Sequence, residues 1–167
     1  MTNNDILRRL RYIFDFNDQK IVAIMKLANH SVTRKQVTAW LKKDDDSEFQ
    51  ACNDRHLACF LNGLIVEKRG ARDGEPPEPE KQLNNNLILL KLKIALNLRS
   101  DDIISILELA DLTISPHELS AFFRRPDHKH YRQCKDQILR NFLMGLQLQL
   151  KGEPDTKPAF EWKTPKH

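Results

Sequence analysis

The chain has 167 residues, of which 40% are hydrophobic and 30% charged, and its formal net charge is +4. This composition is typical of a soluble globular protein, and no apolar run reaches the ~20 residues that span a bilayer. The N-terminus lacks the basic and apolar regions of a signal peptide. We therefore expect a cytoplasmic protein without a membrane partner, whose cysteines stay reduced.

The sequence is an internal duplication, because residues 3–70 align with residues 85–152 without a gap. A repeat of this length is a small domain rather than a solenoid unit. One such copy alone buries little surface, so we expect the two copies to share an apolar interface. The predicted domains are copy one at 1–70, an acidic Pro-rich linker at 71–84, copy two at 85–152, and a disordered or loosely docked tail at 153–167.

The spacing of apolar residues predicts four helices in each copy and no strand. The first helices are expected at about residues 4–14 and 86–96, the second at 18–29 and 101–111, and the fourth at 53–68 and 135–150. The third helices follow two aligned capping boxes, Thr33 with Gln36 and Ser115 with Glu118. The predicted fold is all-α, a tandem pair of four-helix units related by an approximate two-fold axis.

The second and third helices of each copy have the outline of a helix-turn-helix, whose second helix reads DNA bases. Two short helices at an angle are also common in α domains that bind no DNA. In copy one, the solvent face of the third helix would offer side chains suited to phosphate and base contacts: Arg34, Lys35, Thr38 and Lys42. In copy two, the same face is less suited to such contacts, with Pro116, His117, Ser120 and Arg124.

Each copy carries a net charge of +3, and five aligned positions are basic in both copies. Such a shared pattern would follow from phosphate binding by the common unit. Solvated helix faces, with cations near helix C-termini, would leave the same pattern. The pairs are Arg9/Lys91, Arg11/Lys93, Lys42/Arg124, Lys43/Arg125 and Arg69/Lys151.

The segment between the third and fourth helices differs most between the copies. Copy one has an acidic run from Asp44 to Glu48, whereas residues 124–135 of copy two contain five Lys or Arg, two His, one Tyr and one acidic residue. Cations interleaved with rings are typical of single-stranded nucleic-acid contacts. The same composition would suit an acidic protein, or the acidic loop of another copy of the chain, whose pairing would be heterologous. A solvated loop without a ligand is the remaining interpretation.

No catalytic or metal motif is convincing. Cys52, His56 and Cys59 share one helix face and could bind a metal, but Ile138 at the position aligned with His56 favours a packed face. A second candidate metal cluster, His128, His130 and Cys134, has no fourth ligand at a recognisable spacing. Cys134 aligns with Cys52 in a copy that lacks these histidines, which favours a packing role for both cysteines. We expect no cofactor, no metal and no enzyme activity.

Four separated blocks resemble the YehS-like family of duplicated helical bacterial proteins of unknown function. Two blocks open the copies, at residues 3–12 and 85–96, and the others are Trp40–Lys43 and the segment from His128 to Gln137. The resemblance implies a duplicated helical domain over residues 1–152, and it supplies no binding or catalytic residues to transfer.

These patterns favour a non-enzymatic binding module whose ligand is nucleic acid, with RNA or single strands preferred to duplex DNA. The contacts would come from the loop of copy two, with further cations extending the surface: Arg124, Arg125, Lys129, His130, Tyr131 and Arg132, then Lys42, Lys43, Arg9 and Arg11. The alternative is a protein-interaction adaptor, whose partner would be an acidic protein or, through the oppositely charged loops, a second copy of the chain.

Overall fold

The computed structural model describes residues 1–152, and these residues form eight helices without a strand. The helices are α1 (Asn3–Phe14), α2 (Asp18–Leu27), α3 (Arg34–Leu41), α4 (Asp54–Arg69), α5 (Asn85–Ala95), α6 (Ser100–Leu109), α7 (Pro116–Phe122) and α8 (Asp136–Lys151). None of them is long and apolar enough to cross a membrane. The tail expected at 153–167 lies outside the described residues.

Local side-chain hydrogen bonds explain where most helices begin. Both predicted capping boxes are present, and a further one, from Thr2 to Asp5, starts α1. Asparagine caps α2, α4 and α5, accepting in each case from the backbone N–H three residues later. Since these contacts satisfy otherwise orphaned donors of the first turn, the helix starts are encoded locally.

The second helices are two residues shorter than predicted at their C-termini. Asn29 and the aligned Asp111 adopt left-handed backbone conformations, with φ of 59° and 63°, and so end α2 and α6. Asp15 and Asn97 do the same after α1 and α5. Asn and Asp tolerate this conformation better than other non-glycine residues, and the turn lets the next amide reach back to the helix carbonyls.

The two copies share one hydrophobic core and are related by a pseudo-two-fold axis. Within the copies α2 packs on α4 and α6 on α8, and between them α5 packs on α4 and α1 on α8. The last two contacts are here named the α4/α5 seam and the α1/α8 seam. A single cluster of buried side chains runs through both copies, which confirms the expected apolar interface.

Aligned glycines allow the closest helix approach in each copy. A Cβ added at Gly63 would clash with the carbonyl oxygen of Ile24 and lie 2.8 Å from its carbonyl carbon. A Cβ at Gly145 would meet Ile106 in the same way. Because backbone rather than a flexible side chain fills the space, α2 and α6 could not remain where they are if either glycine carried a side chain.

We predict that Gly145→Ala lowers the free energy of unfolding by at least about 2 kcal/mol, because α6 must move away from α8. On an exposed helix face, the same change would raise the free energy of unfolding by about 1 kcal/mol because alanine has the higher helix propensity. The direction of the change in stability therefore distinguishes a close helix contact from an exposed position. Urea unfolding measures it, with Ser105→Ala on the exposed face of α6 as the control. A more stable Gly145→Ala variant would contradict the close approach.

Candidate binding surface in the loop of copy two

One buried asparagine in each copy holds the loop between the third and fourth helices. Asn86 on α5 donates to the carbonyls of Phe122 and Arg132, at 3.0 and 2.8 Å, and accepts from the Cys134 N–H at 2.9 Å. Asn4 makes the three equivalent bonds in copy one, to Trp40, Gln50 and Cys52. Because every bond ends on backbone, the clasp does not depend on which side chains the loop carries.

The segment between these anchors, residues 123–133 (the basic loop), presents its cations to solvent. Arg124, Arg125, Lys129 and Arg132 are all exposed. Among them only Arg125 has an ion pair within the described residues, with Asp127 at 3.3 Å, and both partners are more than two-thirds exposed. Surface pairs of this kind contribute little, so all four cations remain available to a ligand.

Three histidine rings lie together beside these cations. The ring centroid of His130 is 5.5 Å from that of His128 and 6.4 Å from that of His117, which comes from the first turn of α7. The backbone N–H of His130 donates to Nδ1 of His128 at 3.0 Å, which orders the pair. The three exposed rings form a platform on which a base could stack.

The platform borders a cleft of about 620 Å³ between α7 and the loop. His117, His130, Arg132, Lys135 and Phe122 are among the residues that line it. Its volume falls within the ~300–1,000 Å³ range of small-ligand sites. Tyr131, expected to stack on a base, is half-buried, as is the aligned Phe49, so this aromatic position serves the fold in both copies.

Copy one has the corresponding cleft, of about 590 Å³, but with different chemistry. Among its lining residues are Lys35 and Glu48, which align with His117 and His130 in the cleft of copy two. Asp44–Glu48, here named the acidic loop, is exposed along its whole length. The two loops therefore carry opposite charge, although Arg34, Lys35 and Lys42 make the lining of the copy-one cleft basic as well.

The remaining predicted contact residues are not all on one surface. Lys42 and Lys43 lie beside α1, where the Lys42 carbonyl accepts from Arg8 at 2.6 Å. Arg11 is exposed on α1. Arg9 instead lies in a cleft with Arg140 of α8, and two of its guanidinium nitrogens are buried. No hydrogen bond or ion pair among residues 1–152 joins these four side chains to the basic loop.

The helix-turn-helix interpretation loses one of its reading residues. The Thr38 hydroxyl donates to Asp18 of α2 at 2.5 Å, so it holds α3 against α2 and its proton is not free for a base. Arg34 and Lys35 remain exposed. The face that α3 could present to DNA is therefore narrower than its sequence indicates.

A family model described as a protein of unknown function (DUF1456) matches residues 3–70 and again residues 85–152. The chain belongs to this family. It is 48% identical, over 147 residues, to the uncharacterized protein YehS of Escherichia coli (strain K12), a match that covers 87% of this chain and 94% of that protein. No solved structure matches the chain. The duplication inferred from the sequence is thus a property of the family, and neither comparison indicates a catalytic activity.

The cysteines are packed inside the fold. Cys52, Cys59 and Cys134 are all buried, and burial raises the pKa of the Cys134 thiol to about 12, helped by Asp136. A thiol in this state is a poor nucleophile at neutral pH. The ring centroids of His56 and Trp40 are 4.7 Å apart, so His56 packs against the core. Within residues 1–152, no three side chains of His, Cys, Asp or Glu are arranged to hold a metal ion.

Sequence reasoning left out several residues that the fold brings to these sites. His117 was noted only as a weak helix-turn-helix residue, and its contact with His130 depends on how the loop folds back onto α7. Lys135 lines the same cleft. Arg140 aligns with the buried Ala58. The presence of a cation in one copy only was the sequence signal that could have identified Arg140 as a candidate functional residue.

We predict that Asn86→Ala lowers the free energy of unfolding by about 3 kcal/mol or more, because it leaves three backbone groups without their partner. Hydrogen exchange in residues 122–134 should accelerate more than exchange in the core of α8. Gln133→Ala, an exposed change in the same loop with no hydrogen bond to lose, is the control. Equal stability of the two variants would show that the asparagine does not hold the loop.

Proposed function

We propose that the chain is a non-enzymatic binding module for nucleic acid, with RNA or single strands preferred to duplex DNA, and that the basic loop of copy two is the contact. The observation that carries this proposal is the combination of four exposed cations with three clustered histidine rings beside an open cleft. Cations on phosphates supply affinity, and rings on bases supply a stacking surface that tolerates any sequence.

A rigid frame makes the surface effective. The Arg132 N–H donates to the Ala121 carbonyl at 3.2 Å, and Asn86 holds the Arg132 carbonyl. The loop backbone is therefore set before a ligand arrives, which reduces the ordering cost on binding. A single strand can reach an exposed loop of this kind, whereas the narrow face of α3 offers a duplex little contact.

The differences between the copies favour copy two as the copy that contacts nucleic acid. Each copy has the clasp and a cleft of similar size, so these features belong to the shared fold. The acidic residues of copy one would repel a phosphate backbone. We infer that copy one acts as the structural partner of copy two in nucleic-acid binding.

We predict that the double variant Lys129→Glu/Arg132→Glu binds a labelled single-stranded RNA about tenfold or more weakly at moderate salt, because two phosphate contacts become repulsive. Fluorescence anisotropy with oligouridine, single-stranded DNA and duplex DNA of equal length measures affinity and preference. The wild-type affinity should fall as salt rises, with a shallower slope in the variant.

The control is Lys26→Glu/Arg72→Glu, which makes the same change in net charge at exposed positions outside the loop. If both double variants lose affinity equally, net charge rather than the basic loop accounts for binding. Unchanged affinity in Lys129→Glu/Arg132→Glu would remove the loop from the site.

A second candidate function is an adaptor that self-associates through the acidic and basic loops, favoured by their opposite charge and full exposure. Two acidic side chains already have internal roles: Asp44 pairs with Arg8 at 3.3 Å, and Asp46 accepts from the Glu48 N–H at 2.8 Å. Asp45 and the Glu48 carboxylate have no such role among the described residues. These two are therefore the side chains to reverse.

If the chain self-associates in this way, Asp45→Lys/Glu48→Lys should reduce the molar mass measured by light scattering at low salt to that of one chain. The exposed linker pair Asp73→Lys/Glu75→Lys changes the charge equally and should leave the assembly intact. Under the nucleic-acid proposal, the loop variant binds RNA as tightly as the unaltered chain or more tightly. A single-chain mass for the unaltered protein would exclude self-association through the loops.

A further inference from the structure

The two seams place one cation at aligned positions, Lys91 in the α4/α5 seam and Arg9 in the α1/α8 seam. A pseudo-two-fold axis makes the backbone surroundings of these residues similar, so their side-chain partners can be compared directly. The comparison concerns a site apart from the basic loop, and it does not depend on the proposed function.

Lys91 has both a hydrogen-bond acceptor and an ion-pair partner within the protein. It is 9% exposed, its ammonium donates to Asn62 of α4 at 2.7 Å, and Glu80 forms an ion pair with it at 3.1 Å. Glu80 comes from residues 71–84, which have no counterpart in the repeat. The linker thus supplies the α4/α5 seam with an anion that matches one buried cation.

Arg9 has no such partner. Its Nε and Nη2 atoms are enclosed by protein, yet they find no acceptor among residues 1–152. Neither nitrogen has accessible surface, so an anion would meet the Arg9 guanidinium only where it lines the cleft. The position aligned with Asn62 is Met144, which offers no oxygen.

A second cation, without an ion pair among residues 1–152, stands beside Arg9. Arg140 of α8 aligns with the buried Ala58, so this charge exists in only one of the seams. Both arginines line a cleft of about 410 Å³ together with Met1, Asp5 and Arg8. The other cations there already hold carboxylates, Arg8 with Asp5 at 2.7 Å and the Met1 amine with Asp136 at 3.1 Å.

Burial and the neighbouring Arg140 both lower the pKa of the Arg9 guanidinium, although an arginine in a protein stays charged at neutral pH. A charge enclosed without a partner costs stability. An anion between Arg9 and Arg140 would remove that cost.

The geometry points to a phosphate-binding site in the α1/α8 seam, in the cleft that Arg9 lines from α1 and Arg140 from α8. One carboxylate balances the single cation of the other seam. Two cations match the charge of about −1.5 to −2 that a phosphate or phosphomonoester carries at neutral pH.

The test is isothermal titration calorimetry of the full chain with inorganic phosphate at low ionic strength. We expect saturable binding of one phosphate per chain, weakened about tenfold or more by Arg9→Gln because the charge is lost. Arg9→Lys keeps the charge but not the planar guanidinium, so its affinity for phosphate should fall between those of the unaltered chain and Arg9→Gln. Arg11→Gln removes an exposed charge from the same helix and should change the affinity less than about twofold.

The stability of the variants separates a binding role from a structural one. In phosphate-free buffer Arg9→Gln should unfold at the same temperature as the unaltered chain or higher, since an enclosed charge has gone. Phosphate should raise the unfolding temperature of the unaltered chain and leave that of Arg9→Gln unchanged. Absence of saturable binding, or equal weakening by Arg9→Gln and Arg11→Gln, would overturn the site.

Two further measurements identify the source of the phosphate and separate this site from the loop. A nucleoside 5′-monophosphate that binds about tenfold more tightly than inorganic phosphate would assign the site to a phosphate ester, and equal affinities to the free ion. Lys129→Glu/Arg132→Glu should leave phosphate binding unchanged. If that variant abolishes phosphate binding, the anion binds the basic loop and the seam site is wrong.

Discussion

A single buried asparagine in each copy is the contact on which the rest of the molecule depends. Asn4 and Asn86 each satisfy two carbonyls and one amide of a long segment without regular structure. Buried backbone groups must be paired, and a loop that relied on its own side chains for pairing could hardly change composition. Because the asparagine lies on the first helix of its copy, α1 or α5, and binds only backbone, the loop side chains of the two copies can differ freely in charge.

The same separation between frame and side chains governs the seams. Asp54 and Asp136 occupy aligned positions and accept from Asn3 and Asn85 within their own copies, each at 2.8 Å. Each also accepts from the chain that leads into the other copy, at the Leu83 N–H and the Met1 amine. A linker that occurs only once then breaks the equivalence, because Glu80 can reach only one seam. The two halves consequently share a backbone arrangement but differ in electrostatics.

The sequence predicts the helices and most of their starts because these depend on spacing and on caps within four residues. It does not predict that α2 and α6 end early, since Asn29 and Asp111 also fit a helical pattern until their left-handed backbone is seen. It predicts the exposed cations of the basic loop. The contact between His117 and His130, the partial burial of Tyr131 and the enclosure of Arg9 arise from tertiary packing, which periodicity does not describe.

Aligned positions that carry the same or similar residues do not all have the same role in the two copies. Gly63 and Gly145 are identical because a neighbouring backbone leaves no room for a Cβ, and the asparagines are identical because three backbone groups need them. Arg9 and Lys91 are also aligned and both basic, yet Lys91 pairs with the Glu80 carboxylate, whereas Arg9 has no carboxylate partner within residues 1–152. A conserved charge sign within the repeat is therefore compatible with different roles. The basic loop and the α1/α8 seam are places where the shared frame stays and the chemistry changes, and such places are where a duplicated domain can acquire a function that its twin lacks.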